Sequence, residues 1–177
     1  MKFLQILFTI ALLGACSHHS HKHHSEIVKI HKDWGNLKEV RSYHDHVYIS
    51  AQPNAEAIKS FKDSGGEIVI NLRNKKERGF LKDEKSIVES NGMKYFNLPV
   101  NGKDMSKTQF NKIEDIIASN PKQKVLLHCS SGNRAASWFA YHAWKKHKDS
   151  PEKALEVGRS MGLTKKNLEP QIIKMMK

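Results

Sequence analysis

The sequence predicts a single α/β domain built as a three-layer sandwich, with a central, mostly parallel sheet between two layers of helices. Short apolar runs alternate along the chain with segments of helical periodicity. The best strand candidate, residues 67–72, is rich in β-branched residues, and a second buried run at 125–127 leads towards a helix at 135–146. A length of 177 residues is enough for one such domain and too short for two.

The first half of the domain alternates strands and helices. The predicted elements, in order, are a strand at 47–49, a helix from Pro53-Asn54 to about Asp63, a strand at 67–72, a helix ending at Asn91-Gly92 and a strand at 94–98. Gly65 and Gly66 stop the first helix, and Pro99 closes the last strand.

The second half continues the alternation. Ser106 and Gln109 fit the capping box that opens a helix, and the apolar residues after them recur at helical spacing. The remaining elements are that helix up to Asn120-Pro121, a strand at 125–127, a helix at 135–146, a helix from Ser150-Pro151 to Gly162 and a last helix at 164–176.

Residues 1–15 have the build of a secretion signal, with Lys2 followed by an apolar run at 3–13 that is too short to span a bilayer. The ending, LGAC, resembles a bacterial lipobox, in which the cysteine, here Cys16, receives lipid and becomes the new N-terminus. The alternative is an ordinary cleaved signal with Cys16 as a bystander. Residues 16–31 would then form a polar, His-rich tether, and residues 32–177 the folded domain.

An acylated Cys16 would hold the protein at a bacterial membrane while the domain itself need not contact lipid. In a Gram-negative cell, Ser17 resembles a signal for sorting to the outer membrane, so the domain would face the periplasm. The tether also invites a metal-binding hypothesis, although its spacing is unlike that of a structured site and also fits a flexible spacer. Its histidines are His18, His19, His21, His23 and His24.

The chain carries a formal net charge of +12. Lys and Arg are spread along its whole length, and no basic motif interleaved with aromatic residues is present. Such a distribution favours solubility and anionic partners in general. We therefore expect an anionic partner rather than nucleic acid. We also expect a monomeric protein.

Cys129 is the other of the two cysteines, and it has no disulfide partner if Cys16 is acylated. An unpaired cysteine in an exported protein indicates burial or reactivity. The segment VLLHCSSGNRAA, residues 125–136, favours reactivity because a buried strand, a Ser/Gly/Asn loop and a helix follow one another. Backbone N–H groups and the positive helix end would converge there, stabilising an oxyanion and the nucleophilic thiolate of Cys129.

Arg134, at the start of that helix, offers a planar fork that can bind two oxygens of an anion. Gly132 permits a backbone conformation that a bulky residue would resist. The predicted phosphate-binding residues are Ser130, Ser131, Gly132, Asn133 and Arg134.

This segment resembles the signature of the protein tyrosine phosphatase superfamily: His, Cys, a Gly three residues later and a closing Arg. The resemblance extends over YISAQPNAEAIKSF, IVINLRNKKE and KYFNLPV, in the order expected of compact dual-specificity-like bacterial phosphatases. It is nearest to the phosphatase domain named after β-lactamase-hydrolase-like proteins, and related bacterial enzymes dephosphorylate inositol polyphosphates. The resemblance implies that a cysteine thiolate takes the phosphoryl group, an aspartic acid protonates the leaving oxygen, and no metal or other cofactor takes part.

Two features of the loop depart from that pattern. The usual loop has five residues between Cys and Arg, whereas only four separate Cys129 from Arg134. Ala135 stands where a Ser or Thr usually helps to release the thiolate. We expect one amide donor fewer and a slower turnover.

The general acid is assigned to Asp104, in the loop after the strand at 94–98, with a solvated loop carboxylate as the alternative. Asn101 lies closer to where some relatives carry their acid, but an amide cannot donate the proton in that role. His128 is expected to orient the loop through backbone hydrogen bonds, or else simply closes the strand.

A basic stretch follows the strand at 67–72. Arg73, Lys75, Lys76 and Arg78 would line the mouth of the site and attract polyanions, or would form a solvated turn.

Two other functions fit parts of the sequence. Rhodanese-like sulfurtransferases share a Cys-x-x-Gly-x-Arg loop of this short length, but they typically carry an Asp-x-Arg strand end, where this chain has Asn71-Leu72-Arg73. A non-catalytic binder of phosphorylated ligands would also tolerate a shortened loop. Both remain open alternatives to a phosphatase at this stage.

Overall fold

A computed structural model describes residues 28–177, and its core is one six-stranded sheet with the strand order β1-β2-β3-β6-β4-β5. The strands are β1 (Val28–Trp34), β2 (Leu37–Tyr43), β3 (Val47–Ser50), β4 (Gly66–Asn71), β5 (Lys94–Asn97) and β6 (Lys124–His128). Strands β3, β6, β4 and β5 run parallel, whereas β1 and β2 form an antiparallel hairpin at one edge. The predicted α/β sandwich with a mostly parallel sheet is confirmed.

The antiparallel hairpin was not predicted from the sequence. Strand β1 begins at Val28, so residues 28–31, which the sequence assigned to the tether, pair with β2 instead. Most of β1 is exposed or half-buried, and its lysines and histidine give no apolar alternation. The earlier tether residues, with Cys16 and the signal segment, lie outside the described part of the chain.

The helices flank the sheet on both faces. They are α1 (Ala55–Asp63), α2 (Glu84–Ser90), α3 (Lys107–Ala118), α4 (Asn133–His147), α5 (Pro151–Ser160) and α6 (Glu169–Met175), with a 3-10 turn (Lys166–Leu168) before α6. The capping box at Ser106 and Gln109 is present as predicted, and Asn54 caps α1 by accepting from the Ala57 amide. Across residues 28–177, no helix is both long and apolar enough to cross a membrane.

Alternating side chains of the central strands build two separate cores. On β6, Val125 and Leu127 pack into the larger core, while Leu126 packs into the smaller one. The larger core contains the buried side of α4, including Trp138 and Phe139. Because β6 and α4 are both buried, the loop that joins them is held at both ends.

Helix α5 packs closely on α4 because a glycine lies at their contact. A Cβ at Gly158 would lie 2.7 Å from the Ala140 Cβ and 3.3 Å from the Ala136 carbonyl oxygen. The small side chains let the two helices approach and so fix the position of α4, which carries Arg134.

Gly158→Ala is expected to destabilise the domain. In an open helix this change stabilises by about 1 kcal/mol. Here the two helices must move apart to admit the added methyl group, at a cost of about 1–3 kcal/mol. The net effect of the substitution is therefore destabilising. Urea unfolding would measure the loss. Glu156→Ala, at an exposed position of the same helix, is the control and should stay within about 0.5 kcal/mol. A more stable Gly158→Ala protein would show that the contact is not tight.

Candidate active site

The carboxyl ends of the parallel strands meet at one edge of the sheet and carry polar residues there. Ser50 pairs with His128, His128 with Asn71, and Asn71 with Asn97, so four strand ends lie at the same level. In sheets of this kind, ligands bind beyond the carboxyl ends of the strands. Cys129 follows His128 directly and is therefore placed at this edge.

The loop from Cys129 to Gly132 turns the chain sharply from β6 into α4. Cys129 is only 1% exposed. Gly132 has a φ of +81° and lies against the backbone of Ser50, where a Cβ would approach the carbonyl carbon to 3.5 Å. Ser131 forms an isolated β-bridge with Ala51, which ties the loop to the end of β3. The first amides of α4 have no partner within the helix and are free to bind an anion.

The Arg134 guanidinium is held firmly by groups outside the loop. Its Nη1 donates to the Glu77 Oε1 at 2.7 Å, and its Nη2 donates to the Glu77 Oε2 at 2.7 Å. Nη1 also donates to the carbonyls of Leu72, at 3.1 Å, and Val100, at 2.9 Å. These contacts leave Nε and the second Nη2 hydrogen for the side of the guanidinium that faces the loop, where Nη2 lies 3.4 Å from the Ser130 Oγ.

Charge stabilises this arrangement from both sides. Burial alone would lower the pKa of Arg134, but the Glu77 carboxylate and the neighbouring Cys129 sulfur outweigh it and raise that pKa further. The hydrogen bonds from Arg134 in turn lower the pKa of Glu77 to about 2. Arg134 therefore stays charged beside Cys129 and can bind an anion there.

The side chain of His128 faces a buried carboxylate instead of the loop backbone. Its Nε2 lies 3.0 Å from the Glu84 Oε1, and both side chains are fully buried. Neither ring nitrogen makes a hydrogen bond of good geometry within residues 28–177, so the approach of Nε2 to Glu84 is a close polar contact rather than an aligned hydrogen bond. The His128 carbonyl accepts from the Leu72 amide at 2.9 Å, and no hydrogen bond joins its side chain to the loop backbone within the described residues. The expected role of His128 in orienting the loop through backbone hydrogen bonds stays a prediction.

Glu84 is bound by several donors at the ends of the strands. It accepts from Gln52 Nε2 at 2.7 Å, from Tyr95 OH at 3.0 Å and from Asn71 Nδ2. Burial alone would raise the pKa of Glu84, but His128 and these donors outweigh it and hold that pKa below its usual range. The carboxylate is thus kept in its charged form within the protein.

Of the remaining loop residues, Asn133 directs its side chain away from the expected anion site. Its Oδ1 accepts from the amides of Thr164, at 2.9 Å, and Lys165, at 2.8 Å. The side chain therefore ties the start of α4 to the loop before α6, and only the Asn133 amide is left for the predicted phosphate contact. Ser130 and Ser131 are exposed at the rim.

The segment that carries the predicted acid packs against Arg134. A Cβ at Gly102 would lie 3.7 Å from the Arg134 Cδ. Asp104 is exposed, its amide donates to the Asn101 carbonyl at 3.1 Å, and its carboxylate has no hydrogen-bond or ion-pair partner within residues 28–177. The Asn101 side chain accepts from the Lys103 amide and shapes this turn. Asp104 is thus an unpaired acid in a segment next to the site.

Arg73 does not line the mouth of the site, contrary to the first interpretation of the basic stretch. It is 3% exposed, and its guanidinium donates to Gln52 and to the carbonyls of Arg78 and Gly79. These bonds organise the loop that brings Glu77 to Arg134. Lys75, Lys76 and Arg78 are exposed on the same loop, which fits both the mouth and the solvated-turn interpretations.

Glu77 and Glu84 were not predicted as site residues from the sequence. Glu77 stands in the basic run NLRNKKERG, where a carboxylate is easily taken for a solvated charge. Glu84 stands in the charged segment LKDEK at the start of a helix. A signal was present for Glu77, because the segment IVINLRNKKE carries part of the family resemblance.

No group of three or more metal-ligating side chains is found within residues 28–177. The histidines of the tether lie before this range, so the metal hypothesis for them stays untested. The donors gathered around Cys129 are amides and guanidinium groups, which bind anions rather than cations.

The fold of this chain is similar to that of proteins of known structure. No protein-family model matches the chain. No curated protein matches it either. Solved structures do match: a DUF442 protein from Shewanella putrefaciens superimposes with a TM-score of 0.68 at 18% identity, covering 80% of this chain and 92% of that chain.

Two further neighbours have defined ligands or activities. TpbA of P. aeruginosa, solved in complex with pTyr, gives a TM-score of 0.63 at 16% identity and covers 78% of this chain and 82% of its own. The core catalytic domain of the PP-IP phosphatase SIW14 from S. cerevisiae, in complex with citrate, gives 0.60 at 18% identity and covers 73% of this chain and 79% of its own. The chain has the fold of protein tyrosine phosphatase-like enzymes.

The Glu77–Arg134 pair is expected to make stability depend on acid pH. The folded-state pKa of Glu77, about 2, lies below its ordinary value of 4.5, so the pair stabilises fully above about pH 4.5 and fails as pH falls towards 2. Between pH 5 and 2, the free energy of unfolding of the wild type should therefore fall by about 1–3 kcal/mol more than that of Glu77→Gln. Urea unfolding at each pH measures this difference.

Glu152→Gln, at an exposed position of α5, controls for the general effect of removing a carboxylate. Its stability should follow that of wild type across the same range. If the difference between wild type and Glu77→Gln were constant from pH 5 to 2, the carboxylate would not be held by Arg134 in solution.

Proposed function

We propose that the protein hydrolyses phosphomonoesters through a phosphocysteine intermediate. The observation that carries the proposal is the meeting of the Cys129 sulfur and the Arg134 guanidinium at the N-terminus of α4, with Glu77 holding the guanidinium from the far side. The fold is shared with the PP-IP phosphatase SIW14 and with TpbA, which binds pTyr. These likenesses support a phosphatase.

In the first step the Cys129 thiolate attacks the phosphorus. The S–P bond forms as the ester P–O bond breaks, and the leaving oxygen takes a proton from Asp104. The free amides of the loop and Arg134 bind the other phosphoryl oxygens and stabilise the charge that develops on them.

In the second step water attacks the phosphocysteine. The Asp104 carboxylate takes a proton from the water, the S–P bond breaks, and inorganic phosphate leaves with the thiolate restored. Ala135 offers no hydroxyl to stabilise the departing thiolate, so this step is the slower one in our proposal.

For the substrate, we propose an anion with more than one phosphate, such as an inositol polyphosphate. The net charge of +12 steers dense negative charge towards the protein. Exposed Lys75, Lys76 and Arg78 lie on the loop that also carries Glu77. A phosphotyrosine peptide is the competing substrate. Faster turnover of such a peptide than of inositol hexakisphosphate, at equal ionic strength, would overturn this choice.

Cys129→Ser is expected to lower the rate of phosphate release by at least about 10³-fold, because no other group can form the covalent intermediate. Arg134→Lys should lower kcat/KM by about 10²–10³-fold, because an ammonium keeps the charge but loses the planar fork. Phosphate release from an aryl phosphate measures both effects.

Two controls separate the alternative functions. Incubation with thiosulfate and cyanide tests for a sulfurtransferase; thiocyanate formation without phosphate release would replace our proposal with that activity. Equal inertness of wild type and Cys129→Ser, with both still binding inorganic phosphate, would show a non-catalytic binder. Phosphate release that survives Cys129→Ser would rule out a phosphocysteine.

Asp104→Asn is expected to lower kcat by about 10²-fold with a poor leaving group, such as an alkyl phosphate, because the leaving oxygen then needs a proton. With a good leaving group, such as nitrophenolate, the loss should be much smaller. Asp115→Asn, an exposed aspartate on α3, is the matched control and should leave both rates unchanged. An equal loss with both leaving groups would assign Asp104 a role other than proton donor.

A further inference from the structure

A continuous line of polar contacts connects the two ends of the Cys129 loop through the neighbouring elements. It starts at His128, just before the loop, whose Nε2 lies 3.0 Å from the Glu84 Oε1. It ends at Arg134, just after the loop, whose guanidinium binds Glu77. Between these carboxylates lie Gln52 and Arg73. We call Glu84, Gln52, Arg73 and Glu77 the relay.

The contacts within the relay are short and have defined directions. Gln52 Nε2 donates to the Glu84 Oε1 at 2.7 Å, and Gln52 Oε1 accepts from Arg73 Nη1 at 2.7 Å. Arg73 Nε reaches the Glu77 Oε2 at 3.3 Å. A carboxylate only accepts and a guanidinium only donates, so the Gln52 amide can satisfy both neighbours in just one orientation.

The relay is also fixed from outside. Glu84 is fully buried and accepts from Asn71 and Tyr95 as well. Arg73 is 3% exposed and donates to two backbone carbonyls. Gln52, between them, cannot move without leaving a buried charge short of a partner, which is costly.

We propose that Gln52 and Arg73 are positioning residues that couple the two ends of the loop. They keep the distance and orientation between the Cys129 sulfur and the Arg134 guanidinium constant. The inference rests on the proposed function and names two further residues for that site. Neither side chain contacts the substrate in this proposal. Misplacement of a reacting group by about 1 Å can cost about 10²-fold in rate, so positioning from a distance is effective.

The composition of the loop makes such positioning necessary. It has four residues between Cys129 and Arg134, and Ala135 after them offers no hydroxyl. Fewer local hydrogen bonds can therefore hold the loop than in the resembling family's pattern. The relay supplies constraints from the segments that follow β3 and β4 and from α2, and these constraints act on both ends of the loop at once.

The test uses Gln52→Leu, which has about the size of the native side chain, removes both relay contacts and introduces no new charge. It is expected to lower kcat/KM for an aryl phosphate by about 10- to 100-fold. In the Cys129→Ser background, which cannot turn over, it should weaken the binding of inorganic phosphate several-fold, measured by calorimetry.

A double-mutant cycle distinguishes coupling from separate effects. Gln52→Leu and Glu77→Gln interrupt the same line of contacts, so the double variant should be little worse than the more damaged single variant. Losses in kcat/KM that simply multiply would overturn the proposal. So would a Gln52→Leu protein that melts at a lower temperature but keeps kcat/KM and phosphate affinity within about two-fold of wild type.

The Arg159–Glu169 pair provides the matched control. It is bidentate as well, at 3.0 and 2.8 Å, and lies on α5 and α6 away from the loop. Glu169→Gln should change stability slightly and leave kcat/KM unchanged. If Glu169→Gln lowered kcat/KM as much as Gln52→Leu does, the relay would have no special role.

Failure of the proposed function would look different. A wild-type protein that releases no phosphate from any ester would contradict the proposed phosphatase activity. The calorimetric measurement of phosphate binding would still test the relay in that case. An active wild type with an unaffected Gln52→Leu contradicts the relay alone.

Discussion

The carboxylate of Glu77 lies between two buried guanidinium groups, and the geometry of the site depends on this shared negative charge. Arg134 donates to it through both Nη atoms, and Arg73 through Nε. A buried cation without a partner costs several kcal/mol, so neither arginine could occupy its position alone. Because both guanidinium groups require a negatively charged partner, the loop at 73–79 must follow a path that places the Glu77 carboxylate between them.

The strand ends impose a similar requirement on the other side of Cys129. Strands β4 and β6 are apolar at 68–70 and 125–127, and they end in the polar residues Asn71 and His128, which are fully buried. Polar groups buried side by side need common partners. Glu84 meets this need from the first turn of α2, and so α2 is placed by the chemistry of the strand ends as well as by its own apolar contacts.

Features encoded in adjacent residues were predictable from the sequence, and features encoded across long separations were not. The β-branched run of β4, the capping box at Ser106 and the Cys129–Arg134 loop each lie within a few residues. The Glu77–Arg134 pair joins positions 57 residues apart, and no local pattern marks it. The β1–β2 hairpin was missed for a related reason: its stability comes from pairing with β3, while its own sequence is mostly polar.

The position of Arg134 within α4 connects these constraints to anion binding. With four residues in the loop, the helix begins at Asn133, and Arg134 is its second residue. A cation there is opposed by the positive end of the helix dipole. Glu77 and, in our proposal, the Cys129 thiolate offset this repulsion while the site is empty, but these two negative charges do not fully neutralise Arg134, Arg73 and the helix end together. The residual positive potential is directed at the Cys129 side of the guanidinium, where a phosphate dianion would complete the balance of charge.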